Sequence, residues 1–210
     1  MLDAKREYNF KIIESISRTT EKAVDDALVR DACAGDDFAF EQIFERHKKR
    51  IARVAGNFFN RREKIEDVVQ EAFTKIFLAL NDYSPQEGAS FTAWISRIAI
   101  NCCYDELRRT SRRPEDKTNA STDDENEWLN NSALFSDNGR DVEAKVISRD
   151  LANKLLARLK PDDRLILTLM AVDEMSIVEI AKITDWSVAK VKVRAHRARV
   201  SLRRILSEFI

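Results

Sequence analysis

The chain has 210 residues, 44% of them hydrophobic and 34% charged, and its 36 basic and 36 acidic side chains leave no formal net charge. That composition supports a core and excludes a wholly disordered chain. Four glycines and three prolines are too few to punctuate the turns of a sandwich or barrel, so an all-α fold is expected. No apolar run approaches the roughly 20 residues of a spanning helix, and the opening MLDAKREYNFK is charged where a secretory leader is apolar. A cytoplasmic protein with no membrane partner is expected. Cys33, Cys102 and Cys103 show no C-x-x-C spacing and lie far from His47 and His196, so neither a disulfide framework, a metal site nor a cofactor is expected.

In chain order, the first strong pattern places Phe40, Ile43, Phe44, His47, Ile51, Val54, Ala55 and Phe58 on one helical face, which makes His47 a packed core residue rather than a ligand. The next helix buries Ile65, Val68, Val69, Ala72, Phe73, Ile76, Phe77 and Leu80. Its outer face is then Glu66, Asp67, Gln70, Glu71, Thr74 and Lys75. Asn81, Tyr83, Pro85 and Gly88 break the pattern, and Ser90 caps a third helix. There Phe91, Trp94, Ile95, Ile98, Ala99 and Cys102 form the apolar stripe, leaving Arg97, Asn101, Asp105, Arg108 and Arg112 on another face. The helix runs into RRTSRR, whose arginines Arg108, Arg109, Arg112 and Arg113 suit phosphate, although a solvated helix end is the plainer reading.

Charge divides the chain. Residues 1–26, an N-terminal extension, carry net −1 and residues 27–113 net +2. Residues 114–145 carry −6 and residues 146–210 carry +5. The acidic stretch is rich in Ser, Asn, Asp and Thr, and it reads as a flexible linker between two small helical domains. Its charge complements the C-terminal domain, so a contact between them in the free chain stands beside the plain reading of a soluble spacer.

After the linker come amphipathic helices around residues 142–159 and from Pro161 to about Val172. Ser176 and Glu179 have capping-box spacing, and Asp185, Trp186 and Ser187 turn the chain into a longer helix that reaches about Ser207. Its core stripe is Val188, Val191, Ala195, Ala198, Leu202 and Ile205. A short helix, a tight turn and a longer helix make a helix-turn-helix. Between Ser187 and Ser207 the outer side carries Lys190, Lys192, Arg194, Arg197, Arg199, Arg203 and Arg204 and no acid, which suits a polyanion. Val193, exposed on that side, either meets a thymine methyl or touches nothing.

EDVVQEAFTKIF (66–77), SFTAWISRIAINCCYDELRRTSRR (90–113) and MSIVEIAKITDWSVAKVKVRAHRARVSLRRIL (175–206) resemble regions 2.2, 2.3 to 2.4 and 4.2 of extracytoplasmic-function sigma factors. These are compact members of the sigma-70 family of bacterial transcription initiation factors. The resemblance implies two small helical domains, region 2 at 27–113 and region 4 at 146–210, and a non-enzymatic activity without cofactors. It implies that Asp67, Gln70, Glu71 and Thr74 dock on the clamp helices of the RNA polymerase largest subunit, with a further contact to the flap of the second subunit. Arg97, Asn101, Arg108, Arg109, Arg112 and Arg113 would open and read the minus-ten promoter element. Ser187, Lys190, Lys192, Val193, His196 and Arg197 would read the minus-35 element as duplex DNA, with Ser176 holding a phosphate. An anti-sigma factor is the regulator the resemblance implies. The competing reading is a stand-alone helix-turn-helix regulator, which needs a dimer interface or ligand pocket in its N-terminal half. An enzyme fits worse, because no glycine-rich phosphate loop or metal-ligand spacing is present.

Overall fold

The computed structural model describes residues 19–84, 90–112 and 155–208, and among these residues there are helices and turns but no strand. Residues 1–18, the acidic linker and Arg113 lie outside the described residues. Helix α1 covers residues 19–33, so the boundary expected at residue 26 falls inside a helix. It is tied down by Asp25, whose buried carboxylate lies 3.2 Å from both His47 Nε2 and Arg46 Nε. Burial alone pushes the Asp25 carboxyl up, but His47 and Arg46 outweigh it and hold it below its ordinary value. His47 is thus a core residue, its ring edge-on to Phe91 with centroids 5.6 Å apart.

Helix α2 is Asp37–Gly56, and the Asp36 carboxylate caps it by accepting from the Phe38 and Ala39 N–H groups at 2.9 and 3.3 Å. Its stripe buries Ile43, His47, Ile51, Val54 and Ala55, as the spacing predicts. Helix α3 is Arg62–Leu78 and buries Ile65, Val68, Ala72, Phe73 and Ile76. Phe77, expected in that core, is 55% exposed instead: the α2–α3 seam ends beside it, where its ring meets Phe40 edge to face with centroids 4.9 Å apart.

Helix α4, Phe91–Ser111, is capped by Ser90 Oγ accepting from Ala93 N–H at 3.2 Å. It packs on α2 and α3 through Phe91, Ile95, Ala99 and Cys102. Its buried surface is wider than one stripe, however, because Ala93, Ser96, Ile100 and Cys103 are buried too. The second half of the chain supplies that extra cover. It comprises α5 (Pro161–Ala171), α6 (Ile177–Thr184) and α7 (Val188–Ser207), and α6 packs directly against α4. Tyr104 of α4 donates its hydroxyl to Asp162 at 3.1 Å across the same junction.

One apolar core therefore runs from Val29 through α2, α3 and α4 to Leu165, Ile180 and Val191. At the junction Asp173, 1% exposed, accepts from Arg50 Nη1 at 2.6 Å and Arg53 Nη1 at 2.8 Å, and Thr168 Oγ1 donates to buried Asn57 Oδ1 at 3.0 Å. Burial pushes the Asp173 carboxyl up against the pull of the two arginines, and the net direction is above its ordinary value. A fully buried side chain such as Ile100 contributes about 1.5–3 kcal/mol. Ion pairs with quarter-exposed arginines contribute less, after desolvation and screening. Apolar packing thus holds the halves together, and the buried carboxylate sets how they register.

Asp173→Asn keeps the shape but leaves Arg50 and Arg53 without their anion. Urea unfolding of the full chain should show a loss of about 1–3 kcal/mol at pH 7. An unchanged midpoint would contradict the role assigned to this carboxylate.

Candidate nucleic-acid interface

Three surfaces stay free of the core. On α3 the residues left outside by the apolar stripe are Asp67, Gln70 and Thr74, which are exposed, and Glu71, which is half-buried. Glu71 holds Lys75 at 2.8 Å, and Thr74 Oγ1 donates to the Gln70 carbonyl at 2.9 Å. Asp67 and Gln70 rim a groove between α2 and α3 whose floor is Phe44, Ala52 and Val69. The outer face continues into exposed Phe77 and Leu78, which the sequence pattern did not single out as surface residues. An apolar floor with a polar rim suits a helical partner rather than a polyanion.

On α4 the exposed arc is Arg97, Asn101, Asp105, Arg108 and Arg112, the residues that 3.6-residue spacing predicts. Asp105, Arg108, Arg109 and Arg112 line a shallow cleft at its C-terminal end. Two of these arginines already have partners: Arg108 meets Asp105 at 2.9 Å, and Arg109 pairs with Glu106. Glu106 is the unexpected residue here, because it is a carboxylate only 2% exposed in the middle of an arginine-rich segment. It also accepts from Lys64 Nζ at 2.8 Å and Thr110 Oγ1 at 3.2 Å. Burial alone pushes its carboxyl up, but Lys64 and Arg109 reverse that and hold it below its ordinary value. The sequence hid it, because its spacing places it on the apolar stripe and its charge argues against that position. Beside it, burial pushes the Cys102 and Cys103 thiols up, so at neutral pH both stay protonated and unreactive.

In the second half, Ser176 and Glu179 form the expected capping box: Ser176 Oγ accepts from Glu179 N–H at 3.2 Å, and Ser176 N–H donates to Glu179 Oε2 at 2.7 Å. The Glu179 carboxylate thus stands beside the helix N-terminus at which a phosphate is expected. Asp185 turns the chain in the left-handed region at φ 57°, and Ser187 Oγ caps α7 by accepting from Lys190 N–H at 3.1 Å.

Helix α7 buries Val191, Ala195, Ala198 and Ile205, while Val188, expected in the core, is 39% exposed at the first turn. At 100° per residue, exposed Ala189, Val193, His196 and Val200 run down the middle of the outer side. Lys192, Arg199 and Arg203 line one margin, and Lys190, Arg197 and Arg204 line the other. Cations on both margins of a neutral strip suit a groove: they can reach the phosphates on its two edges and, at the N-terminal end that enters it, the base edges as well. Arg194 stands apart from this set, bound to Asp162 and Asp163 at 2.9 Å each. Arg158 and Lys160 join His196, Arg197 and Arg204 around one cleft, a contribution that the spacing within α7 could not reveal.

Among the described residues no group of three or more His, Cys, Asp or Glu could hold a metal ion, and no helix is long and apolar enough to cross a membrane. Asn101 and the Lys192 margin lie on different helices, and the structure gives each its own exposed face.

Glu106→Gln should lower stability at neutral pH by about 1–3 kcal/mol. Because the folded-state pKa lies below the ordinary value, this stabilisation is complete above the usual glutamate range and is lost as pH falls through the folded value. The difference between wild type and variant should therefore shrink toward pH 3 in thermal unfolding. A difference independent of pH would contradict the assignment.

Comparison with known families places residues 43–113 in Sigma-70 region 2 and residues 149–202 in Sigma-70, region 4. The ECF RNA polymerase sigma factor SigW of Bacillus subtilis is 28% identical over 177 residues, covering 83% of this chain and 92% of its own. The ECF RNA polymerase sigma-E factor of Escherichia coli is 28% identical over 183 residues, covering 87% and 94%. Among solved structures, CnrH in complex with the cytosolic domain of CnrY matches with TM-score 0.58 and 26% identity, covering 88% of this chain and 98% of that one. The sigma factor RpoE of Bartonella quintana, solved with the anti-sigma factor NepR, has the same fold at TM-score 0.61 and 21% identity, covering 80% and 96%.

Proposed function

The chain belongs to the extracytoplasmic-function sigma factors of the sigma-70 family, which are transcription initiation factors, and on that premise we propose that it binds core polymerase through α3 and reads promoter DNA with α4 and α7. The observation that carries this reading is that two helices in different halves of the chain each keep a cation-rich face clear of the core. A stand-alone regulator needs only one such face.

In this reading the clamp helices of the largest polymerase subunit lie in the α2–α3 groove against Asp67, Gln70, Glu71 and Thr74, and the flap of the second subunit meets the C-terminal half. Arg97, Asn101, Arg108, Arg109 and Arg112 hold the opened minus-ten strand. Opening costs a few kcal/mol per extruded base, so the released strand must be retained by its phosphates and by polar contacts to a base. Asn101, one turn from Arg97 and two from Arg108 on the same arc, supplies the amide. Ser187, Lys190, Lys192, Val193, His196 and Arg197 face the minus-35 duplex. The protein works in the cytoplasm, where polymerase is, and an anti-sigma factor restrains it.

Geometry adds one requirement. The two promoter elements are about 25 base pairs apart, on the order of 85 Å at 3.4 Å per step. In the structure α4 packs on α6, and α7, with 20 residues, is only about 30 Å long, so the two DNA faces lie far closer together than that. The halves must part on a promoter. The 32 residues of the linker, 114–145, can reach about 110 Å when extended, which is enough.

A reconstituted run-off assay with core polymerase tests the division of labour. Lys192→Ala should cost about tenfold on templates with an intact upstream element and little on templates lacking one. Asn101→Ala should reduce strand opening, read by permanganate reactivity, while leaving upstream duplex protection intact. Proportional loss by both variants on every template would contradict the assignment.

A further inference from the structure

The turn of the helix-turn-helix carries a side chain that the proposed function leaves without a task. Trp186 sits half-buried between α6 and α7, and the Lys190 ammonium stands 4.1 Å above its ring centroid. The Arg194 guanidinium lies 5.1 Å from the same ring. Arg194 is fixed in turn by Asp162 and Asp163, whose carboxylates hold Nη2 and Nη1 at 2.9 Å. Helix α5 thus anchors Arg194, the arginine braces the indole, and the indole restrains Lys190.

Lys190 is the third residue of α7, at the end that enters a major groove in this type of module. A lysine is normally a poor base reader. Its flexible stem carries much rotamer entropy, and its ammonium moves readily to the nearest phosphate. A ring face that attracts the ammonium changes this, because it limits the stem to few conformers while leaving N–H bonds free to donate. The guanine O6 and N7 atoms are the major-groove acceptors that suit such a donor.

We propose that Trp186 is a positioning residue that clamps Lys190 for direct readout of a guanine in the upstream promoter element. This rests on the reading of α7 as the duplex-binding helix. Trp186 itself touches no base. Its neighbours on α7 differ: among the described residues Lys192 has no ring partner, and Arg197 faces the cleft it shares with Arg158 and Lys160.

The test is promoter selection by the reconstituted holoenzyme on a template pool with every base pair at each upstream position, using wild type, Lys190→Ala, Trp186→Leu and Trp186→Phe. Wild type should prefer G·C at one position by about fivefold, and Lys190→Ala should abolish that preference alone. Trp186→Leu should weaken the same preference about threefold while leaving other positions unchanged, and Trp186→Phe, which keeps a ring, should restore most of it. Thermal unfolding of each variant separates this from misfolding, since loss of a merely structural tryptophan lowers activity on all templates together. That uniform loss, or a Lys190→Ala profile identical to wild type, overturns the proposal. A wild-type holoenzyme indifferent to every upstream position overturns instead the reading of α7 on which it rests.

Discussion

The architecture depends on helix α4 being core around most of its circumference while one narrow arc stays in water. Phe91, Ile95, Ala99 and Cys102 close the first half against α2 and α3. Ile100 and its neighbours give the second half a surface to settle on. What remains is the arc from Arg97 to Arg112, too polar to bury and aimed by the packing of the helix's buried sides. Buried Glu106, with Lys64 and Arg109 around it, ties the arginine-rich end of that arc to α3. A site that grips a flexible single strand gains from such rigidity, since the strand supplies all the ordering cost.

Helix α7 solves a different problem. It must stay folded with six cations on its wet side, and it does so by spacing them along two margins with Ala189, Val193, His196 and Val200 between them. The seventh, Arg194, is drawn out of the set by the two carboxylates at the start of α5. This arrangement lowers self-repulsion in the free protein.

Much of this was legible in the sequence. The stripes of α2 and α3, the caps at Ser90 and Ser187 and the capping box at Ser176 follow from spacing and side-chain chemistry that are local. The exposed arc of α4 was legible for the same reason. What could not be read depends on distant partners. Ile100 and Cys103 are buried on a second side of α4, where the small Ala93 and polar Ser96 obscure the apolar spacing. Phe77 lies on the apolar stripe of α3 yet is exposed, because the helix outruns its neighbour. Glu106 and Asp173 are buried acids held from other helices, Glu106 by Lys64 of α3 and Asp173 by Arg50 and Arg53 of α2, so their charge concealed their place. Arg194 read as one more DNA cation until Asp162 and Asp163 appeared beside it.

The two halves share one core, yet the proposed activity requires their DNA faces to separate by tens of ångströms. On the proposed function, closure through Asp173, Asn57 and Tyr104 belongs to the chain before it meets a promoter, and opening is the step that polymerase and DNA would drive. The direct measurement is the distance between dyes on Glu41→Cys of α2 and Lys182→Cys of α6, in a chain with exposed Cys33 replaced by serine. Single-molecule energy transfer should report one short distance in the free protein and a population longer by tens of ångströms once core polymerase and promoter are both bound. An extended distance in the free chain, or a short one retained on the promoter, would contradict the account.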